Sequence, residues 1–137
     1  MKNILIISAT SGNNYNLAQE IESLLKVKNV HYKFIKLDEF SVPLYYPKIE
    51  ETTDCEDISK LDSLFQDADG FIFCAPEYNG SSPPILTNAN AWISVKTSNW
   101  RGSFNGKSGL ICTHSGGTGN NFISSLKIQL NHLGVIV

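Results

Sequence analysis

The feature that most constrains this chain is an alternation of short, continuous apolar runs with stretches at helical spacing. Ile4-Leu5-Ile6-Ile7 is unbroken and largely β-branched, the composition of a strand covered on both faces. Leu17, Ile21, Leu24 and Leu25 then recur at the spacing of one helix face. Tyr32-Lys33-Phe34 alternates, which suits a less buried edge strand, and a polar, proline-broken stretch follows from Leu37 through Pro47 to Thr53. Ile58, Leu61, Leu64 and Phe65 mark a second helix, and Phe71-Ile72-Phe73-Cys74 a second doubly buried strand. Proline is tolerated in a first helical turn, so a third helix opens near Pro83 or Pro84. Its inner face is Ile85 or Leu86, Ala89, Trp92 and Ile93. Gly109-Leu110-Ile111-Cys112 is the next strand, and Ile123, Leu126, Leu130 and Leu133 form a fourth helical stripe with Gly134 as its C-terminal cap. Val135-Ile136-Val137 reads as a fifth strand.

Alternating β and α units predict an α/β fold of three layers, a parallel sheet with helices on both faces. Five strands in this order take the arrangement 2-1-3-4-5, with a ligand crevice at the strands' carboxyl ends. A length of 137 residues supports one core, so residues 1–137 are expected to be a single domain. A composition of 42% hydrophobic and 18% charged residues argues against disorder. A net charge of −2 provides no basic field for nucleic acid and no strong acidic face for docking a redox partner. The opening apolar run is too short for a signal-peptide core or a membrane span. Cys55, Cys74 and Cys112 form no CxxC pair, and their odd number argues against a disulfide framework. Cys74 and Cys112 end apolar runs and read as buried, reduced thiols. The expectation is a soluble cytoplasmic protein that engages neither nucleic acid nor membrane.

Function then narrows to three loops. The first, Ser8-Ala9-Thr10-Ser11-Gly12-Asn13-Asn14, joins the first strand to the first helix. Gly12 permits a turn, backbone N–H groups and the hydroxyls of Ser8, Thr10 and Ser11 face inward, and the helix dipole favours an anion. No Lys or Arg lies between Asn3 and Lys26, so a phosphate would be gripped by uncharged donors, at about 1.5–3 kcal/mol for each charge-assisted hydrogen bond. A polar turn with an ordinary N-cap would read the same way. The second loop, Ala75 to Pro84, follows the third strand; Pro76 stiffens its start and Asn79-Gly80 makes a turn. This is expected to expose the N–H groups of Tyr78, Asn79 and Gly80 beside a flat surface supplied by Tyr78. The third loop, Thr113-His114-Ser115-Gly116-Gly117-Thr118-Gly119-Asn120, has three glycines that let a ligand lie against the main chain.

Pro76-Glu77-Tyr78-Asn79-Gly80-Ser81, running into Pro84-Ile85-Leu86-Thr87-Asn88-Ala89 and Trp92-Ile93-Ser94, closely resembles the flavin loop of the NADPH-dependent FMN reductases. The third loop, with Ser115, Gly116, Gly117 and Gly119, is similar to the same family's glycine-rich loop, and Leu37-Asp38 to Pro43-Leu44-Tyr45 to its second crossover. The first loop instead resembles the phosphate loop of flavodoxins and is shorter than the family's arginine-containing loop. The resemblance implies a flavodoxin-like fold. It implies FMN held by Ser8, Thr10, Ser11, Gly12, Asn13 and Asn14 at the phosphate, by Pro76, Glu77, Tyr78, Asn79 and Gly80 along the ring, and by the third loop at the pyrimidine side. NADPH or NADH would be the electron donor, and a quinone, azo compound, free flavin, metal ion or oxygen the small-molecule acceptor. The cofactor carries the chemistry, so no catalytic side chain is assigned. Glu77 is then expected to shape the pocket rather than act as a base. A flavodoxin-like electron carrier without enzymatic activity, or a scaffold without FMN, are the other readings.

The family usually continues into another helix, which would leave this chain with its final helix missing and a sheet face near Val135 and Ile136 without cover. A homodimer through the third and fourth helices is the expected association. Gly102 to Ser108 imitates a nucleotide P-loop, but its glycine spacing is wrong and it precedes a strand. His31, His114 and His132 have no metal-ligand spacing. Tyr45, Tyr46 and Trp100 read as loop packing, and none of Lys48, Lys96, Arg101 and Lys107 stands out as a partner for a 2′-phosphate.

Overall fold

The most apolar run becomes the centre of a sheet. In the computed structural model, which describes residues 2–96 and 99–137, Asn3–Ser8 forms β1, and its Leu5, Ile6 and Ile7 are fully buried. Met1, the first residue of the opening segment read above, lies outside the described residues. Strand β2, His31–Lys36, pairs parallel on one side of β1, with Asn3 opposite His31 and Ser8 opposite Lys36. Strand β3, Gly70–Cys74, pairs on the other side and carries β4, Ser108–Cys112, beyond it. All three pairings are parallel, and the order is 2-1-3-4.

The sheet therefore has four strands, not the expected five in the order 2-1-3-4-5. Where the fifth was expected, Ile136 alone bridges to Ser108: its N–H donates to the Lys107 carbonyl, and the Gly109 N–H donates to its carbonyl, both at 2.8 Å. The reason lies two residues earlier. In a parallel ladder every second residue faces a given neighbour. Gly134 has φ of 93° and donates its N–H to the Asn131 carbonyl at 3.0 Å, so it belongs to the end of the preceding helix and does not extend the pairing.

Among the described residues, five helices connect and cover the strands: α1, Asn13–Val27; α2, Pro47–Glu50; α3, Glu56–Asp67; α4, Pro84–Lys96; and α5, Asn120–His132. Pro84 opens α4 as its position predicted. The short α2, begun by Pro47, and a 3₁₀ turn at Leu37–Glu39 lie in the stretch read only as proline-broken.

The two faces of the sheet are covered differently. Phe65 of α3, Leu86 and Ile93 of α4, and Phe122 and Leu126 of α5 pack with Leu5, Ile7, Phe71 and Phe73 into the larger core. On the other face α1 brings Ala18 against Ile6, Ile72 and Cys74. Side chains alternate across a strand, so Leu110 shares that second face with Cys112, and it is 52% exposed. The loops that leave β1, β3 and β4 at their carboxyl ends meet above the sheet.

Candidate functional site

The first loop leaves β1 at Ser8, whose buried hydroxyl donates to the Thr10 carbonyl at 2.8 Å. The Ser11 hydroxyl donates to Asp38 in the 3₁₀ turn. Two of the three predicted hydroxyls are thus engaged within the protein, and Thr10 is left beside the cleft described below. Helix α1 begins after Gly12 with no side chain capping it and no acidic residue in its first turn. The Tyr15 and Asn16 N–H groups close on the Gly12 carbonyl, at 3.0 and 3.2 Å. Nothing lies within 4 Å of where a Cβ on Gly12 would sit, so the approach to this helix end is open. Uncapped N–H groups and the positive end of the dipole together suit an anion.

Asn14 has a different task from its neighbours. It is buried, and its Oδ1 accepts from the His114 N–H at 2.7 Å while its Nδ2 donates to the His114 carbonyl at 2.9 Å. This two-point clamp ties the start of α1 to the third loop, across 100 residues of sequence.

In the second loop, Tyr78 and Ser81 exchange two backbone hydrogen bonds of 3.0 Å each. Asn79 and Gly80, with φ of 52° and 69°, form the turn between them, as an Asn-Gly pair does in a tight hairpin. The Tyr78 N–H is therefore engaged by Ser81, and Asn79 and Gly80 sit exposed at the turn's apex, outside the cleft lining. Glu77 does more than sequence indicated. Its N–H donates to Ser115 Oγ at 3.0 Å, and its Oε2 accepts from the Phe122 N–H at 2.9 Å. Phe122 is the third residue of α5, so this carboxylate caps a helix that has no cap of its own and complements its dipole.

In the third loop, Ser115 Oγ also meets Thr113 Oγ1 at 2.9 Å. Gly119 has φ of 69°, and a Cβ there would fall 2.5 Å from Thr113 Cγ2; backbone geometry and packing both require glycine at the start of α5. Gly116 and Gly117 are exposed, with open space around them.

The three loops converge. Thr10, Gly12, Asn13 and Asn14 from the first, Pro76, Glu77 and Tyr78 from the second, and His114, Ser115 and Gly116 from the third line one cleft of about 360 Å³. That volume is in the range of small-molecule sites. Ser8, Ser11, Asn79, Gly80, Gly117 and Gly119 belong to the same loops but lie outside its lining. Among the described residues no Lys or Arg lines the cleft, and the one carboxylate that does, Glu77, is turned to α5. Tyr78 is 47% exposed and offers an aromatic surface at the rim. The lining fits FMN in its donor set: an uncapped helix end for a dianion, and an aromatic ring beside main-chain groups for a planar ring. Two larger concavities, each about 440 Å³, lie elsewhere, between α4 and α5 and beside α3, and contain none of these loop residues.

The decoys settle into structure. Residues 101–106 form turns before β4, and Lys107 Nζ donates to the Phe65 and Gln66 carbonyls at 2.6 and 2.9 Å. Tyr45 packs edge-on against Trp92 at 5.2 Å, and Trp100 lies 5.5 Å from His132.

The family model described as NADPH-dependent FMN reductase matches residues 1–137. No curated protein matches the chain by sequence. Solved structures similar to it include the flavoenzyme NAD(P)H:(acceptor) oxidoreductase FerB from Paracoccus denitrificans, at 21% identity and a TM-score of 0.83, covering 99% of this chain and 74% of that one. An FMN-dependent NADH-azoreductase from Bacillus anthracis, solved in complex with FMN, aligns at 18% identity and a TM-score of 0.75, over 98% of this chain and 83% of that one. A flavodoxin from the domain Archaea aligns at 16% identity and a TM-score of 0.68, over 100% of this chain and 78% of that one. At these identities the structures attest the flavodoxin-like fold, and the family match attests the chemistry. The chain belongs to the NADPH-dependent FMN reductase family and, as a member, is an FMN-dependent oxidoreductase.

Proposed function

We propose that FMN occupies the three-loop cleft and that its electrons pass to a small diffusible acceptor such as a quinone, an azo compound, free flavin, a metal ion or oxygen. The single observation that carries this reading is the convergence of all three loops on one cleft. Bound FMN supplies the redox chemistry, taking hydride from NADPH or NADH and returning electrons to the acceptor. The protein's own part is to bind and orient. The N–H groups at the start of α1, with Thr10, hold the phosphate end without a countercharge. Pro76 to Tyr78 border the ring, and Ser115 and Gly116 border its pyrimidine side. Asn14 ties the first loop to the third through His114, and Glu77 ties the second loop to the third through Ser115 and to α5 through Phe122.

Anaerobic titration of the FMN-loaded protein with NADH and with NADPH tests this. Bleaching of the bound flavin by either nicotinamide, followed by reoxidation on adding a quinone, is the expected result. Flavin that stays oxidised under excess of both would instead support a flavodoxin-like carrier needing a protein partner, a reading favoured only by the first loop.

We further assign a homodimer through α4 and α5. The groove between them exposes Ile128 and Trp100, at 72% and 46%. At its base, buried Asn90 donates to Gln129 Oε1 at 3.0 Å, while its Oδ1 has no partner among the described residues. Sedimentation of wild type as a dimer and of Ile128→Glu as a monomer is the expected pair of results. Three free cysteines suit a reducing compartment, and we assign the cytoplasm.

A further inference from the structure

Cys74 ends β3 and Cys112 ends β4, and the two are direct register partners in the parallel pairing. Both side chains lie on the α1 face of the sheet, packed in the same cluster with Ile6 and Ile72. Neighbouring strands run about 4.7–4.9 Å apart, and a disulfide bridges Cα atoms separated by about 4.4–6.8 Å. Strand spacing thus places the two Cα atoms within the span that a disulfide bridges, and a small approach of the strand ends brings the sulfurs together. Both thiols are free in this structure; Cys74 is fully buried and Cys112 half-buried. The neighbour of Cys112 on that face, Leu110, is half-exposed, so a small oxidant reaches Cys112 first.

We infer that Cys74 and Cys112 are a redox modification site, joined by hydrogen peroxide into a disulfide at the base of the second and third loops. The thiols also differ in a way that orders the steps. The interaction between the two thiols holds Cys112 below the ordinary thiol range, while that interaction and burial push Cys74 up. The Cys112 thiolate attacks one peroxide oxygen, the O–O bond breaks, and the departing hydroxide takes up the proton that Cys112 released, as water. Cys74 then attacks the resulting sulfenic sulfur; the S–S bond forms, the S–O bond breaks, and the Cys74 proton leaves with the hydroxyl as a second water. Two thiols and one peroxide give one disulfide and two waters.

The bridge ties the two loops at their origin. Ala75, the first residue of the second loop, already donates its N–H to the Cys112 carbonyl at 3.3 Å. Two residues further on, Glu77 donates to Ser115. A covalent link below these hydrogen bonds fixes the spacing of the strand ends on which both loops stand.

The test uses the intact protein, treated with hydrogen peroxide, then alkylated and digested for mass spectrometry. Cys55 lies in a separate loop, its thiol against the Ser41 carbonyl at 3.4 Å, and serves as the internal reference. The expected result is a fall from three alkylated cysteines to one, Cys55, with the peptides of Cys74 and Cys112 linked at a loss of two hydrogen masses and separated again by dithiothreitol. A Cys55→Ser protein gives the same linked peptide. Cys74 and Cys112 alkylated separately after treatment, Cys112 carried irreversibly to sulfinic acid, or bridges that all involve Cys55 would each overturn the assignment.

Discussion

The second and third loops hold each other, while the first loop is held mainly by its own turn. Glu77 joins the second loop to the third through Ser115 and to α5 through Phe122. In the first loop, Ser8 folds back on Thr10 and Ser11 turns away to Asp38. Asn14 is the exception, and it belongs as much to the third loop as to the first. The ring end of the cleft is thus set by long-range polar contacts before any ligand arrives. The phosphate end is set by an open helix terminus whose N–H groups have no side-chain cap. Preorganisation costs little on binding where contacts already exist, and open donors contribute most when an anion satisfies them.

Removing the Asn14 link between the two ends should have the largest effect. Asn14→Ala removes both partly buried hydrogen bonds to the His114 N–H and carbonyl and opens a gap where the buried Asn14 side chain packed. We expect a loss of about 2–4 kcal/mol in urea unfolding, and FMN affinity at least tenfold weaker, read by flavin fluorescence quenching. Next in size is the ring end. Glu77→Ala removes the cap of α5 and should cost about 1–2 kcal/mol, whereas Glu77→Gln keeps an acceptor for the Phe122 N–H and should cost less than half of that. Equal losses for the two would show that the carboxylate's charge, not its hydrogen bond, secures the loop.

Smaller effects should sharpen the contrast at the phosphate end. Asp38 places a carboxylate beside Ser11 with no cation lining the cleft. Asp38→Asn should tighten FMN about threefold at low salt by removing a repulsive charge, with little effect on riboflavin, which has no phosphate. The smallest effect lies outside the cleft, where Glu22 is held below the usual carboxylate range, first by the Tyr32 hydroxyl at 2.9 Å and then by Lys26. A depressed folded-state value means that this contribution is present above the unfolded carboxyl value and is lost as pH falls through the folded one. Tyr32→Phe should therefore flatten the acid limb of the stability profile slightly and leave FMN affinity unchanged.

Much of this architecture was legible because it depends on local composition. The runs at Ile4 to Ile7 and Phe71 to Cys74 are apolar at every position, and such runs have few places to go but the middle of a parallel sheet. The expected fifth strand failed because Gly134, two residues before Ile136, turns with φ of 93° and keeps its N–H on the Asn131 carbonyl, so Ile136 alone pairs. Loop positions were legible from Gly12, Asn79-Gly80 and Gly116-Gly117, but the polar ties between them were not. Asn14 and His114 stand 100 residues apart, and Glu77 and Phe122 stand 45 apart. One signal was present for the second: the N-cap of α5 is Gly119, which has no side chain, so an acceptor for the Phe122 N–H had to come from elsewhere.

The central claim is that one ligand spans all three loops. Amide NMR of the uniformly ¹⁵N-labelled protein during titration with FMN tests it most directly. The account predicts saturable shifts in three separated stretches, around Thr10 to Asn14, Glu77 to Tyr78 and Ser115 to Gly117, following one binding curve. Shifts confined to one of these stretches, or centred on Ile128 and Trp100 between α4 and α5, would contradict it.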